Sequence, residues 1–178
     1  MSTYELTWNP SKWPWHDLGD AIYRVNNDID YRPSWSCGSR KNITPGDRFV
    51  LMKLGKDPRG IQKGIVGYGY IVSSPFEERH WDPQLADAGK KALRVDLKFI
   101  GLNDHPFISS DDLDRRFPTI DWMPQAGGVV IPEDVADQLF KEFGVRYDSP
   151  DPMKESGVLV EGSVREITIK SYDRSPLA

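Results

Sequence analysis

The sequence predicts an α+β fold: a curved antiparallel sheet or small barrel of about five to seven strands, with helices packed on its edges. Three observations point there. Short segments alternate apolar and polar side chains, the mark of a half-buried strand. Only two segments carry the three-to-four-residue spacing of an amphipathic helix. Pro, Gly, Asn and Asp punctuate the intervals between them. A chain of 178 residues is one ordinary domain with room for a tail.

Taken in order, Tyr4–Trp8 alternates and reads as a first strand, broken by Asn9-Pro10. Trp15, Leu18, Ile22 and Val25 recur at helical spacing, which predicts a helix over 14–26 with Pro14 in its first turn and a stop at Asn26-Asn27. Tyr31–Cys37 is extended, with Pro33 marking an edge or a bend. The turn Thr44-Pro45-Gly46-Asp47 leads into a strand over Arg48–Leu54, with Phe49, Leu51 and Lys53 on one face. Lys56–Gly60 is a second turn. Gly64–Ser73 is a strand whose Gly64, Gly67 and Gly69 predict bulging or close backbone approach. Ala92–Ile100 alternates as a half-buried strand. Pro132–Phe143 is a helix with acids at its start and Gly144 as its stop. Residues 1–147 make up the domain. Residues 148–178 read as a linker and connector, with one more alternating stretch at Ile167 and Ile169.

Composition narrows the class. The apolar fraction is 38% and the charged fraction 28%, as in globular proteins. No apolar run approaches the ~18 residues that span a bilayer, so no membrane partner is expected. The N-terminus lacks a signal-peptide pattern. One cysteine and three histidines exclude a disulfide framework, argue against structural zinc, and make a cytoplasmic setting the expectation. The net charge of −4 counts against a strongly basic coat protein. It conceals an asymmetry: residues 40–63 carry +5, residues 103–121 carry −3 and residues 122–178 carry −4.

Enzyme motifs are missing. There is no nucleophile elbow, Walker loop or dinucleotide fingerprint, and Gly67-Tyr68-Gly69 lies within a strand. His16, His80 and His105 are scattered. Cys37 reads as packing rather than a nucleophile. Asp82, Asp96 and Lys98 form a pattern that a metal-dependent nuclease can use. The bland reading is that Asp96 and Lys98 are the solvent face of a strand. No catalytic residue, metal or cofactor is therefore expected, with the nuclease kept as an alternative.

The six tryptophans carry more. They stand in W-N-P-x-x-W-x-W (Trp8–Trp15), W-S-C-G (Trp35–Gly38), His80-Trp81-Asp82 and W-x-P-Q (Trp122–Gln125). Between them lie P-G-D-R-x-x-L-x-x-L-G from Pro45 and P-R-G-I from Pro58. Most of these indoles sit at strand ends or turns beside Ser, Asn, Gly and Pro, as in a cleft. Indoles also plug small barrels, so a protein-interaction module with all-core tryptophans is the plain alternative. This ordered set resembles the EVE domain family of the PUA-like superfamily, which includes the YTH and SRA modified-base readers. It is similar in particular to the EVE-type module N-terminal to HNH endonucleases of modification-dependent restriction. The segments Glu161–Arg165 and Tyr172–Pro176 resemble the connector that precedes the HNH domain there, and no HNH motif follows within the chain.

The resemblance implies a PUA-like barrel that binds double-stranded DNA and flips a modified base, such as 5-methyl- or 5-hydroxymethylcytosine, into an aromatic pocket. RNA is the alternative partner. It also implies that the chain itself is not an enzyme, and that any homodimer forms through the nuclease domain. Trp35 and Trp81 are the expected stacking walls. Ser36, Cys37 and Gly38 line the pocket edge, and Asn9 and Gln125 face the base edge. Trp13 and Trp122 are further walls or packing, whereas Trp15 lies on an apolar helix face and is expected in the core. Arg40, Lys41, Lys56, Arg59 and Lys63 are the expected phosphate contacts.

Overall fold

The computed structural model describes residues 1–79, 83–84, 88–89 and 91–145. The expectations for His80, Trp81, Asp82 and the 148–178 tail lie outside the described residues. Eight strands and three helices are seen among the described residues. The strands are β1 (Thr3–Trp8), β2 (Ser34–Ser36), β3 (Arg48–Lys53), β4 (Gly64–Ile71), β5 (Phe76–Arg79), β6 (Lys91–Leu102), β7 (Ile108–Ser109) and β8 (Val129–Ile131). The helices are α1 (Leu18–Asn26), α2 (Ser110–Arg116) and α3 (Glu133–Glu142). The strand order is β2-β6-β4-β3-β1-β8, with β5 on β6 and β7 on β4. The α+β expectation holds as a curled sheet, a half-barrel with helices against it.

The sheet is mixed rather than antiparallel. β1 and β3 run parallel in the register Thr3↔Arg48 to Trp8↔Lys53. A parallel pair needs a crossover, and the α1–β2 segment supplies it. Two register shifts, at Leu51/Met52 and Tyr68/Gly69, curl the strands. At the second, a Cβ on Gly69 would stand 2.1 Å from the carbonyl oxygen of Lys98, so β6 approaches as closely as only glycine permits.

Alternation along β1 and β3 sorts the core into two layers. Tyr4, Leu6, Trp8, Phe49 and Leu51 point inside the curl, together with Trp15, Trp35, Val95, Leu97 and Phe99. Val50, Met52, Ile65 and Tyr68 point outward, where Leu113 of α2, Ala136, Leu139 and Phe140 of α3, and Trp122 cover them.

The helix ends follow local rules. α1 begins at Leu18, four residues later than its periodicity suggested, because residues 9–17 turn back to place Trp15 in the inner layer. It ends where expected. Asp28 takes a left-handed φ of 56°, and the Ile29 N–H reaches the Arg24 carbonyl at 2.9 Å, a Schellman-type stop. Ser109 caps α2 by accepting from the Asp112 N–H at 3.2 Å. α3 carries Glu133 and Asp134 in its first turn and Lys141 in its last, matching the helix dipole.

β2 and the β1–β8 side of the sheet come together through side chains and glycines. Trp35 on β2 donates its indole N–H to the Thr7 carbonyl on β1 at 2.9 Å. Arg40 Nε donates to the Gly128 carbonyl at 2.9 Å. Gly38 packs on Gly127 so closely that a Cβ would lie 2.4 Å from the Gly127 oxygen.

Glu5, on β1 opposite Val50 and Val129, is fully buried, and neither carboxylate oxygen has a hydrogen-bond partner among the described residues. Burial, reinforced by the nearby Asp121 charge, pushes its carboxyl up to about 8. The unfolded chain ionises near pH 4.5, so the folded state holds a proton that the unfolded state has lost between those values. Stability therefore falls as pH rises from about 4.5 toward 8, by on the order of 2–4 kcal/mol. Glu5→Gln is expected to flatten this slope, and urea midpoints at pH 5.5 and 8.5 for both proteins measure it. A wild-type midpoint that does not fall with pH contradicts the assignment.

Candidate functional site

One end of the curl is filled by tryptophan. Trp8, Trp13, Trp15 and Trp35 form a continuous cluster. Trp13 and Trp35 lie edge-on at 5.2 Å, Trp15 and Trp35 tilt at 4.9 Å, and Trp8 and Trp15 lie edge-on at 5.4 Å. The backbone of β1 ends here, and the turn after it folds over the cluster. The N–H groups of Lys12 and Trp13 both reach the Asn9 carbonyl at 3.0 Å. Trp8 Nε1 donates to the Trp13 carbonyl at 2.8 Å, which pins that turn to the strand below it. Burial pushes the Tyr31 hydroxyl up to about 12, and Tyr31 stacks on Phe99, which lies beside Trp15.

Exposure divides the four indoles. Trp13 is 39% exposed, whereas Trp35 is 6% exposed and Trp8 and Trp15 are equally covered. Trp35 is thus largely a core residue that closes the sheet and presents only its rim. Trp15 is core, as expected, but it reaches the inner layer from the turn before α1 and not from a helix face. Trp122 is corrected more fully. It is 1% exposed, lies in the outer layer on the opposite face of the sheet, and donates its indole N–H to the Phe117 carbonyl. It cannot wall the same pocket as Trp35.

The small residues of W-S-C-G serve the seam. Ser36 Oγ accepts from the Gly38 N–H at 3.3 Å. Cys37 is fully buried, its thiol directed at the carbonyls of Leu93 and Arg40, and burial pushes its pKa up, the opposite of an activated nucleophile. Asn9 spends its Oδ1 on the Ser11 N–H, an Asx turn, and keeps its amide nitrogen for other partners. Gly55 sits against that amide: a Cβ there would stand 2.3 Å from Asn9 Oδ1 and 3.1 Å from Ser11 Oγ. Gln125 is exposed on the loop that leads to the seam.

The basic stretch resolves into four kinds of cation. Arg48 and Lys53 are buried and paired, with Asp137 at 2.7 Å and Asp57 at 2.5 Å. Lys53 also lies over the Trp8 ring at 5.5 Å, so the inner face predicted for it along β3 joins the tryptophan cluster. Arg40 holds the seam. Arg59 is exposed but neutralised, gripped by Asp57 and by both carboxylate oxygens of Asp104 at 2.6 and 2.8 Å. These two are corrected: geometry makes them structural, not phosphate contacts. Arg59, together with Lys53, holds the Asp57 carboxyl well below its usual range. Lys41, Lys56 and Lys63 are exposed and make no ion pair among the described residues. Lys12 was not singled out by its charge environment, yet it is exposed beside Trp13. Its neighbour Ser11 abuts Gly55, the neighbour of Lys56, so the two lysines stand on adjoining turns, one of which carries Trp13. The sequence signal was the Lys12-Trp13 dipeptide itself.

Asp96 and Lys98 alternate with buried Val95, Leu97 and Phe99 on the outer face of β6. No group of three His, Cys, Asp or Glu side chains with metal-binding proximity occurs among the described residues. Shallow clefts among the described residues include one beneath Met1–Ser2 and Thr44–Asp47, and another between Tyr31, Phe99 and the end of α1. Among the described residues, no helix is long and apolar enough to cross a membrane.

No family model matches the chain, and no curated protein matches it. Solved structures share its fold. A hypothetical protein from Leishmania major superposes with a TM-score of 0.51 at 14% identity, covering 81% of this chain and 96% of that one. A protein from Pseudomonas syringae superposes with a TM-score of 0.51 at 16% identity, covering 79% of this chain and 99% of that one. At such identities the likeness is one of fold.

The division of the indoles has a measurable consequence. Trp35→Ala removes a buried ring and the hydrogen bond that ties β2 to β1, and is expected to cost about 3–5 kcal/mol. Trp13→Ala is expected to cost about 1 kcal/mol, because its ring is part-solvated. Denaturant titration separates the two. Equal losses would show that Trp13 is core.

Proposed function

We propose that this domain is an EVE-type, PUA-like reader that binds DNA carrying a modified base, such as 5-methyl- or 5-hydroxymethylcytosine, and acts as the targeting domain of a modification-dependent restriction endonuclease. The observation that carries the reading is the exposed Trp13 ring above a buried indole cluster, with Lys12 and Lys56 on adjoining turns beside it. A flipped base costs a few kcal/mol to extrude. Each aromatic face it meets returns about 1–3 kcal/mol. Lysines at the mouth hold the flanking phosphates as point charges, and Lys41 and Lys63 extend the positive surface. The free Asn9 amide and the exposed Gln125 supply neutral groups for a base edge. The carboxylates of Asp57 and Asp104 support selectivity. They neutralise Lys53 and Arg59 and leave a few lysines, too few for tight indiscriminate binding.

Binding to duplexes with cytosine, 5-methylcytosine or 5-hydroxymethylcytosine at low salt tests the reading, with single-stranded and modified RNA as further arms. The expected result is tighter binding to one modified duplex than to its unmodified twin. Equal or absent affinity across the DNA panel overturns it, and preference for RNA transfers the site to that partner. The Lys12→Ala/Lys56→Ala double variant is expected to flatten the slope of log K against log salt by about 2, with modified-over-unmodified preference kept.

A further inference from the structure

The same cluster carries a second consequence, which rests on the reader proposal for its ligand but not for its geometry. A flat ring sandwiched between two others needs about 3.5 Å on each side, on the order of 7 Å between the walls. The centroids of Trp13 and Trp35 stand 5.2 Å apart and their planes cross at 88°. Trp13 and Trp15 stand 5.7 Å apart at 38°. No ring enters between these indoles as they stand: Trp13 is in direct contact with Trp35 and leaves no room for a base between them.

Trp13 is also the member of the cluster built to move. Trp8 and Trp35 spend their indole N–H groups on the carbonyls of Trp13 and Thr7, and Trp15 is buried against the rings of Trp8, Trp35 and Phe99. Trp13 Nε1 makes no hydrogen bond within the described residues, and its ring is the one that solvent reaches. Its backbone, by contrast, is held at both ends, the N–H on Asn9 and the carbonyl on Trp8 Nε1. Rotation about the side-chain bonds therefore moves the ring without unfolding the turn.

We propose that Trp13 is a specificity-determining gate, a side chain that occupies the base site in the ligand-free domain and swings outward to let a planar ring replace it on Trp35 and Trp15. An indole filling its own site sets a threshold: a ligand must stack on Trp35 better than Trp13 does, and must offer a flat π face. Bases that gain stacking area from an added substituent pass more readily than unmodified ones, and aliphatic groups do not pass.

Two measurements test this. The first needs no nucleic acid. Protein labelled with 6-fluorotryptophan, with the Trp13 signal assigned by its loss in Trp13→Phe, is examined by fluorine NMR. Exchange of the Trp13 signal between two environments, with the Trp35 signal static, is expected. A single static Trp13 signal overturns the gate whatever the domain binds. The second uses stopped-flow association with the modified duplex that wild type prefers. Trp13→Ala is expected to raise the association rate roughly tenfold and to lower the preference for modified over unmodified base. An unchanged association rate with faster dissociation would make Trp13 a fixed wall and overturn the proposal. If no duplex or RNA binds wild type, the reader proposal fails, while the fluorine spectrum still decides whether Trp13 moves.

Discussion

The indole N–H of Trp35 on the Thr7 carbonyl is the contact on which the rest of the structure depends. It links β2, at one end of the order β2-β6-β4-β3-β1-β8, to β1, next to the other end, and so fastens across its seam a sheet that the register shifts curl. Once the sheet curls, its inner face is concave and needs large rigid side chains to fill it, which Trp8, Trp15, Phe49 and Phe99 provide. The glycines at 38, 127 and 128 let the two edges approach, and Arg40 adds a second tie through the Gly128 carbonyl. A sheet that opened here would expose the indole cluster and lose the platform beneath Trp13.

Charge is organised around the same end. Lys53 is buried against Asp57 and over Trp8, and Arg59 reaches from Asp57 across to Asp104. The network fastens the turn after β3 to the loop after β6, beside the turn that carries Trp13. A buried pair of this kind is a device of position more than of net stability, because desolvation offsets much of the Coulomb gain. It leaves the exposed lysines as the cations facing solvent. Segment charges of +5 and −3 thus partly cancel in space, since Asp104 from the acidic segment grips Arg59 from the basic one.

Much of this was legible in the residues. The alternation in Tyr4–Trp8 and Ala92–Ile100 located β1 and β6. The glycines of β4 announced a bulge, and Gly69 sits at one. Asn26-Asn27 marked the end of α1. What escaped had little local signal. β7 and β8 have two and three residues, too few for a period, and α2 buries only Leu113. The helical spacing that began at Trp15 was real but misread, because Trp15 serves the barrel interior from a turn. W-x-P-Q suggested a pocket wall, yet Trp122 belongs to the layer under α3.

By itself, the sequence determined which residues are apolar, where helices and strands stop, and that aromatic and basic groups crowd into a few segments. These are local properties, set by periodicity, turn chemistry and composition. Only the tertiary structure decided which indoles meet, because Trp8, Trp13, Trp15 and Trp35 come together from two separate stretches of chain. It also decided how Arg48 and Arg59 are neutralised, since Asp137 and Asp104 reach them only by folding. Pairing across the fold depends on crossovers and sheet curvature, and no window of sequence contains those.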